Sequence, residues 1–199
     1  ENIELAIQHF RQALKVYTEK DFPIDWANTC SNLALTFANR IKGNRADNIE
    51  QAIDCCKKSL NVYIEKKSPK SWASIHSNLG LIYPNRIQGN RSDNIEQAIY
   101  HCNQSLKIYK KVDFFWALIQ NNLAIAYTNR VEGVKANNIE QAIDHCNKAL
   151  KVFTEKDFSE DWAMTQNNLA NAYSERIRSD RAENIKQAIK HYEEALKVY

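Results

Sequence analysis

The chain predicts an all-α fold, a solenoid of nine helices stacked as antiparallel pairs. Three observations predict it. A segment of the type Asn-Ile-Glu-Gln-Ala-Ile starts at Asn2, Asn48, Asn94, Asn138 and Asn184, at offsets of 46, 46, 44 and 46 residues. Between these copies a second motif, Trp-Ala followed by four residues and Asn-Leu, starts at Trp26, Trp72, Trp116 and Trp162. Only four Gly and three Pro occur in 199 residues, which leaves little room for turns.

Taken in order, residues 1–20 read as a lone second helix of a truncated repeat. Residues 21–66, 67–111, 112–156 and 157–199 read as four helix pairs. In the first segment Ile3, Ile7, Phe10, Leu14 and Tyr17 form an apolar stripe at helical period, flanked by the small Ala6 and Ala13. Asp47 with Glu50, Asp93 with Glu96 and Asn137 with Glu140 have the spacing of a capping box, which Glu183 and Lys186 break in the last copy. The Trp-type helices carry a stripe through Trp26, Cys30, Leu33, Phe37 and Ile41, with Ile87, Val131 and Ile177 at the matching ends. Gly43, Gly89 and Gly133 follow and suit a left-handed residue closing each helix, with Ser179 in the fourth copy. Pro23 and Pro69 suit the first turn of the incoming helix. Pro84 falls inside a Trp-type helix, where it removes a hydrogen bond and crowds the carbonyl of Gly80, so a kink is expected there. The third copy is two residues shorter between Lys110 and Trp116, which accounts for the offset of 44. Both ends repeat the inner apolar pattern, at Ile3, Ile7 and Phe10 and again at Ile189, Tyr192, Leu196 and Tyr199. The expectation is an excerpt of a longer solenoid, or self-association through uncapped ends.

Composition narrows the function classes. The 27 Lys and Arg against 24 Asp and Glu are interleaved, so no basic run marks a nucleic-acid binder. No apolar stretch is long enough to span a membrane. Five cysteines, an odd number, with Cys56, Cys102 and Cys146 at the position of Phe10 and Tyr192, read as buried reduced thiols beside Cys30 and Cys55. That usage fits the cytoplasm. His9, His101, His145 and His191 share one helical position with Cys55, and no spacing suits a metal site. No phosphate loop or nucleophile constellation recurs, so neither cofactor nor enzymatic activity is expected.

Leu79-Gly80-x-x-Tyr83 followed by Ala98-x-x-x-Cys102 resembles the tetratricopeptide repeat family, with its L-G-x-x-Y on one helix and A-x-x-x-F on the next. Leu33-Ala34-x-x-Phe37, Leu123-Ala124-x-x-Tyr127 and Leu169-Ala170-x-x-Tyr173 repeat the first half. From this Tyr-type residue to the Ala is 15 residues in every copy, six more than the family's unit. The Trp also stands one turn earlier than the family places it. The Asn-Asn-Leu-Ala core resembles the kinesin-light-chain subtype, and the long unit resembles large bacterial, especially cyanobacterial, arrays joined to signalling domains. The resemblance implies a right-handed superhelix whose concave groove is lined by the first helix of each pair.

On a helical wheel, Asn28, Ser31, Asn32, Leu35 and Asn39 lie opposite the packing stripe. Asn32, Asn78, Asn122 and Asn168 occupy one position in all four copies. A carboxamide both donates and accepts, so such a row is a ladder for an extended peptide backbone, as related arrays use it. The alternative is that these Asn cap local backbone groups or bond to the next repeat. The same face carries Asn28, Leu35, Leu81, Leu118, Asn121, Ile125, Met164, Asn167 and Asn171 as further groove candidates. Arg40, Arg86, Arg130 and Arg176 point back toward the packing side in the last turn. There they can pair with an acid in the following turn or, as a second reading, contact an acidic ligand. The expected function is a scaffold binding a protein or peptide. The competing one is an architectural array that positions attached effector domains.

Overall fold

The computed structural model describes residues 2–198, so Tyr199 at the end of the apolar stripe lies outside the described residues. Nine α-helices follow in order among the described residues: α1 Asn2–Val16, α2 Pro23–Ala38, α3 Arg45–Val62, α4 Pro69–Ile82, α5 Arg91–Leu106, α6 Phe114–Asn129, α7 Lys135–Ala149, α8 Ser159–Glu175 and α9 Arg181–Leu196. Each helix packs on the next one. In addition the Trp-type helices α2, α4, α6 and α8 touch their nearest equivalents. The fold is the predicted all-α stack.

Small residues set the helix spacing. Ala27, Ala73, Ala117 and Ala163 on the Trp-type helices are fully buried, as are Ala52, Ala98 and Ala142 on α3, α5 and α7. Ile49, Ile95 and Ile139 fill the core between them. Each buried aliphatic side chain of this size contributes about 1.5–3 kcal/mol. Gly80 shows how close the approach becomes, since a β-carbon there would lie 2.4 Å from Cys102 Sγ. All five cysteines are buried and unbridged.

Helix starts differ from the predicted capping boxes. The caps of α3 and α5 stand a turn earlier: Asn44 Oδ1 accepts from the Ala46 and Asp47 amides, and Asn90 Oδ1 from those of Ser92 and Asp93. Asp180 caps α9 in the same way, whereas Val134 precedes α7 without a side-chain cap. Glu50, Glu96 and Glu140 are thereby freed for another role. Pro23 and Pro69 open α2 and α4 as expected. In place of Pro, Asp113 caps α6 by accepting from the Trp116 amide at 3.2 Å.

Helix ends also differ. The Trp-type helices stop before the end of the apolar stripe. Ile41, Ile87, Val131 and Ile177 consequently lie outside them, 94%, 62%, 68% and 66% exposed. Gly43, Gly89 and Gly133 do have positive φ, as does Ser179 at 68°, but they sit within the connecting loop and not at the helix end. Pro84 does not bend a continuing helix. The α-helical ladder of α4 ends at Ile82, and Pro84 sits in the first positions of a 3-10 turn over Tyr83–Asn85, where its missing donor is not needed. Gly80 serves the close contact with Cys102.

Candidate functional site

The inter-helix loops are built by two residues of the recurring segment. Asn94 is 2% exposed, and its Nδ2 donates to the carbonyls of Arg86 and Gln88 at 3.4 and 2.9 Å. Asn48, Asn138 and Asn184 hold the equivalent carbonyl pairs in their own loops. Each side chain thus satisfies two acceptors that the preceding helix leaves behind.

The Glu of the same segment reaches the other way. Arg86 donates through Nε and Nη2 to both carboxylate oxygens of Glu50, and Arg40–Glu4, Arg130–Glu96 and Arg176–Glu140 repeat the fork at 2.7–3.1 Å. The hydrogen bonds that Arg86 donates to Glu50 raise its pKa, and Arg130 and Arg176 respond alike to Glu96 and Glu140. Three of the guanidinium groups also lie near the rings of Tyr83, Tyr127 and Tyr173. Their acid is therefore not in the following turn but on the preceding Asn-Ile-Glu helix. Both fork positions of each guanidinium are thus filled by the protein's own carboxylate.

The Asn row is split by its surroundings. Asn32 is exposed, and Asn78 and Asn168 are half-buried. Asn78 Nδ2 donates to Ser31 Oγ at 3.4 Å, and Asn168 Nδ2 to Asn121 Oδ1 at 3.0 Å, so two rungs reach the neighbouring Trp-type helix. Asn121 and Asn122 are 0% and 2% exposed, and the Nδ2 of each has no acceptor in the protein among the described residues. Asn121 therefore lies beneath the face and does not line it. An unpartnered buried amide costs about 1–3 kcal/mol.

Around the row, Leu81 and Met164 are exposed at 39% and 36%, while Leu35, Leu118 and Ile125 are half-buried. Asn167 is exposed. Asn28 and Asn171 are already engaged, accepting from the hydroxyls of Tyr63 at 2.8 Å and Tyr192 at 2.6 Å. The Tyr63 tie, repeated between Tyr109 and Ser74 at 2.8 Å, gave no signal in the sequence beyond an aromatic after the helix.

A second ring of polar contacts joins each Trp-type helix to the helix after it. His145 Nδ1 donates to Gln120 Oε1 at 2.6 Å, and His191 Nδ1 to Gln166 Oε1 at 2.7 Å. His76 and His101 meet Nδ1 to Nδ1 at 2.8 Å, where one ring donates and the other accepts. Burial holds His76 and His145 down at about 4 and His101 at about 3. The histidines thus serve packing between paired helices, each stacked on a tyrosine in the last three pairs.

With this geometry in place, comparison with known families is specific. The tetratricopeptide repeat family matches residues 162–198. The match spans α8 from its Trp and all of α9, so the family unit coincides with a Trp-type helix followed by an Asn-Ile-Glu helix. The chain therefore carries a tetratricopeptide-type repeat, and repeats of this type generally mediate protein–protein interaction. No curated protein matches the chain in sequence.

Proposed function

We propose that the chain is a non-enzymatic scaffold whose Trp-type helices bind an extended peptide segment of a protein partner. By its Asn-Asn-Leu-Ala core it belongs with the long-unit, kinesin-light-chain-like arrays. The face of α2, α4, α6 and α8 supplies the groove, with Asn32, Asn78, Asn122 and Asn168 pairing with the peptide backbone. Leu35, Leu81, Leu118, Ile125 and Met164 take apolar side chains between the rungs. The observation that carries the reading is the row itself on the Trp-type helices, where Asn32 is exposed and Asn78 and Asn168 are half-buried.

The test starts from an extended peptide selected from a displayed random library for binding to the chain. Replacing Asn32, Asn78, Asn122 and Asn168 together by Ala should weaken that peptide at least about tenfold while the helical circular dichroism is kept. Unchanged affinity in a folded variant rejects the ladder.

One observation favours a second reading, an architectural array that positions attached domains and associates through its end faces. On α9, Ile185 and Ile189 are 43% and 52% exposed, where Ile139 and Ile143 on α7 are buried. Concentration-dependent sedimentation, abolished by Ile185→Lys with Ile189→Lys, would support it.

A further inference from the structure

One of the four helix pairs lacks the ring that fills the other three. The position pairs His76–His101, Gln120–His145 and Gln166–His191 are joined by a side-chain hydrogen bond, and Cys30–Cys55 stands at the same place in the first pair. In the last three pairs the His ring lies stacked on Tyr83, Tyr127 or Tyr173, with centroids 5.3, 5.4 and 5.5 Å apart. The equivalent of those tyrosines is Phe37, and Cys55 puts no ring against it. Two thiols replace a pair of larger side chains, and a cleft of about 260 Å³ lies at this place between α1 and α3, floored by Trp26, Cys30 and Phe37 of α2.

The cleft is bounded above by charged side chains of α1 and α3. Arg11 rests with its guanidinium carbon 5.6 Å from the Phe37 ring centroid and donates to Gln51 of α3 at 3.4 Å. Lys58 and Asp54 at the rim neutralise each other at 2.6 Å, which leaves the Arg11 guanidinium as the net charge at the opening. A volume of this size is below the range of about 300–1,000 Å³ typical of small-molecule sites but ample for one or two fused rings.

We propose that this cleft receives the ring of a single aromatic side chain from a protein partner. The ring stacks on Phe37 where the chain's own histidines stack in the other pairs, and Arg11 closes over it as a cation on an aromatic face. The size of the cleft selects one anchoring side chain, the usual centre of a binding hot spot. The site lies on different helix faces from the Asn row, so it is independent of the peptide groove.

N-acetyl-tryptophanamide is the probe, titrated against the chain by two-dimensional NMR, with free indole as a parallel arm. Binding at a Kd of about 1 mM is expected, with shifts centred on Phe37 and Cys55. Cys30→Gln with Cys55→His installs the pair that already folds in the third and fourth copies, and should weaken the probe at least about tenfold. The reverse change, Gln120→Cys with His145→Cys, should open a second site and double the stoichiometry. Absence of binding to the native chain overturns the proposal, as does equal binding by the filled variant or, should that variant not fold, an unchanged stoichiometry in the opened one. Binding of indole without the amide assigns the cleft to a small molecule and equally overturns it.

Discussion

Arg86 and Glu50, 36 residues apart, meet in a two-pronged pair with Nε to Oε1 at 2.7 Å and Nη2 to Oε2 at 3.0 Å. The pair fastens the end of one Trp-type helix to the Asn-Ile-Glu helix of the preceding repeat, and it recurs at every such junction. Both side chains keep a little over a quarter of their surface in solvent, which screens the attraction, while the fixed fork geometry strengthens it. Arg86→Ala should therefore cost about 1–2 kcal/mol in denaturant unfolding. Glu50→Ala should cost a similar amount, and the double variant less than the sum of the two. Strict additivity would show that the pair is not coupled.

The Asn94 clamp should weigh more, because it is buried. Asn94→Ala removes both donors and leaves the carbonyls of Arg86 and Gln88 to find others, at an expected cost of about 1–3 kcal/mol. Asn94→Asp separates its two roles. The carboxylate still accepts from Arg86 Nη1, now 3.3 Å away, but it faces the two carbonyls without a hydrogen to give. Loss of stability in the Asp variant, despite its matching shape, would assign the effect to the donors.

Ser179 stands where three other loops have glycine, and its φ of 68° is the one positive value outside glycine among the described residues. A side chain in this left-handed region costs about 1–2 kcal/mol that glycine does not. Ser179→Gly is expected to raise stability by about 1 kcal/mol, less the entropy that glycine adds to the unfolded chain. The converse change, Gly89→Ser, should destabilise. A neutral result in both loops would mean that the turn relaxes without strain.

The stack itself was legible because its signals are local and repeated. Apolar residues at helical spacing, fixed offsets and Pro at helix starts all follow from nearest neighbours along the chain. Helix ends were not legible, since Ile41, Ile87, Val131 and Ile177 continue the apolar pattern beyond the point where the loops turn away. The capping boxes misled for a related reason. Glu50 has the right spacing to reach back to a cap, yet Arg86 offers it two charge-assisted bonds from 36 residues away. The Asn row illustrates the limit at the site. Its regularity was visible, but whether a given Asn faces solvent, as Asn32 does, or is covered, as Asn122 is, depends on the neighbouring repeat.

Acid should loosen the helix pairs through their histidines. Burial lowers His76 and His145 to about 4 and His101 to about 3, against an ordinary value of 6.5, and lowers His191 as well. The unfolded chain therefore takes up protons first as pH falls below 6.5, and its gain is the folded state's loss. Stability is fully present above that pH and declines between about 6.5 and 3, by up to roughly 1.4 kcal/mol per pH unit for each buried histidine. The His76–His101 contact fails once both rings are charged, because neither Nδ1 can then accept. His101→Gln supplies an acceptor with no titratable ring, so its unfolding free energy should depend less steeply on pH over this interval than that of the native chain. Parallel pH profiles in urea for the two proteins would show that the acid sensitivity lies elsewhere.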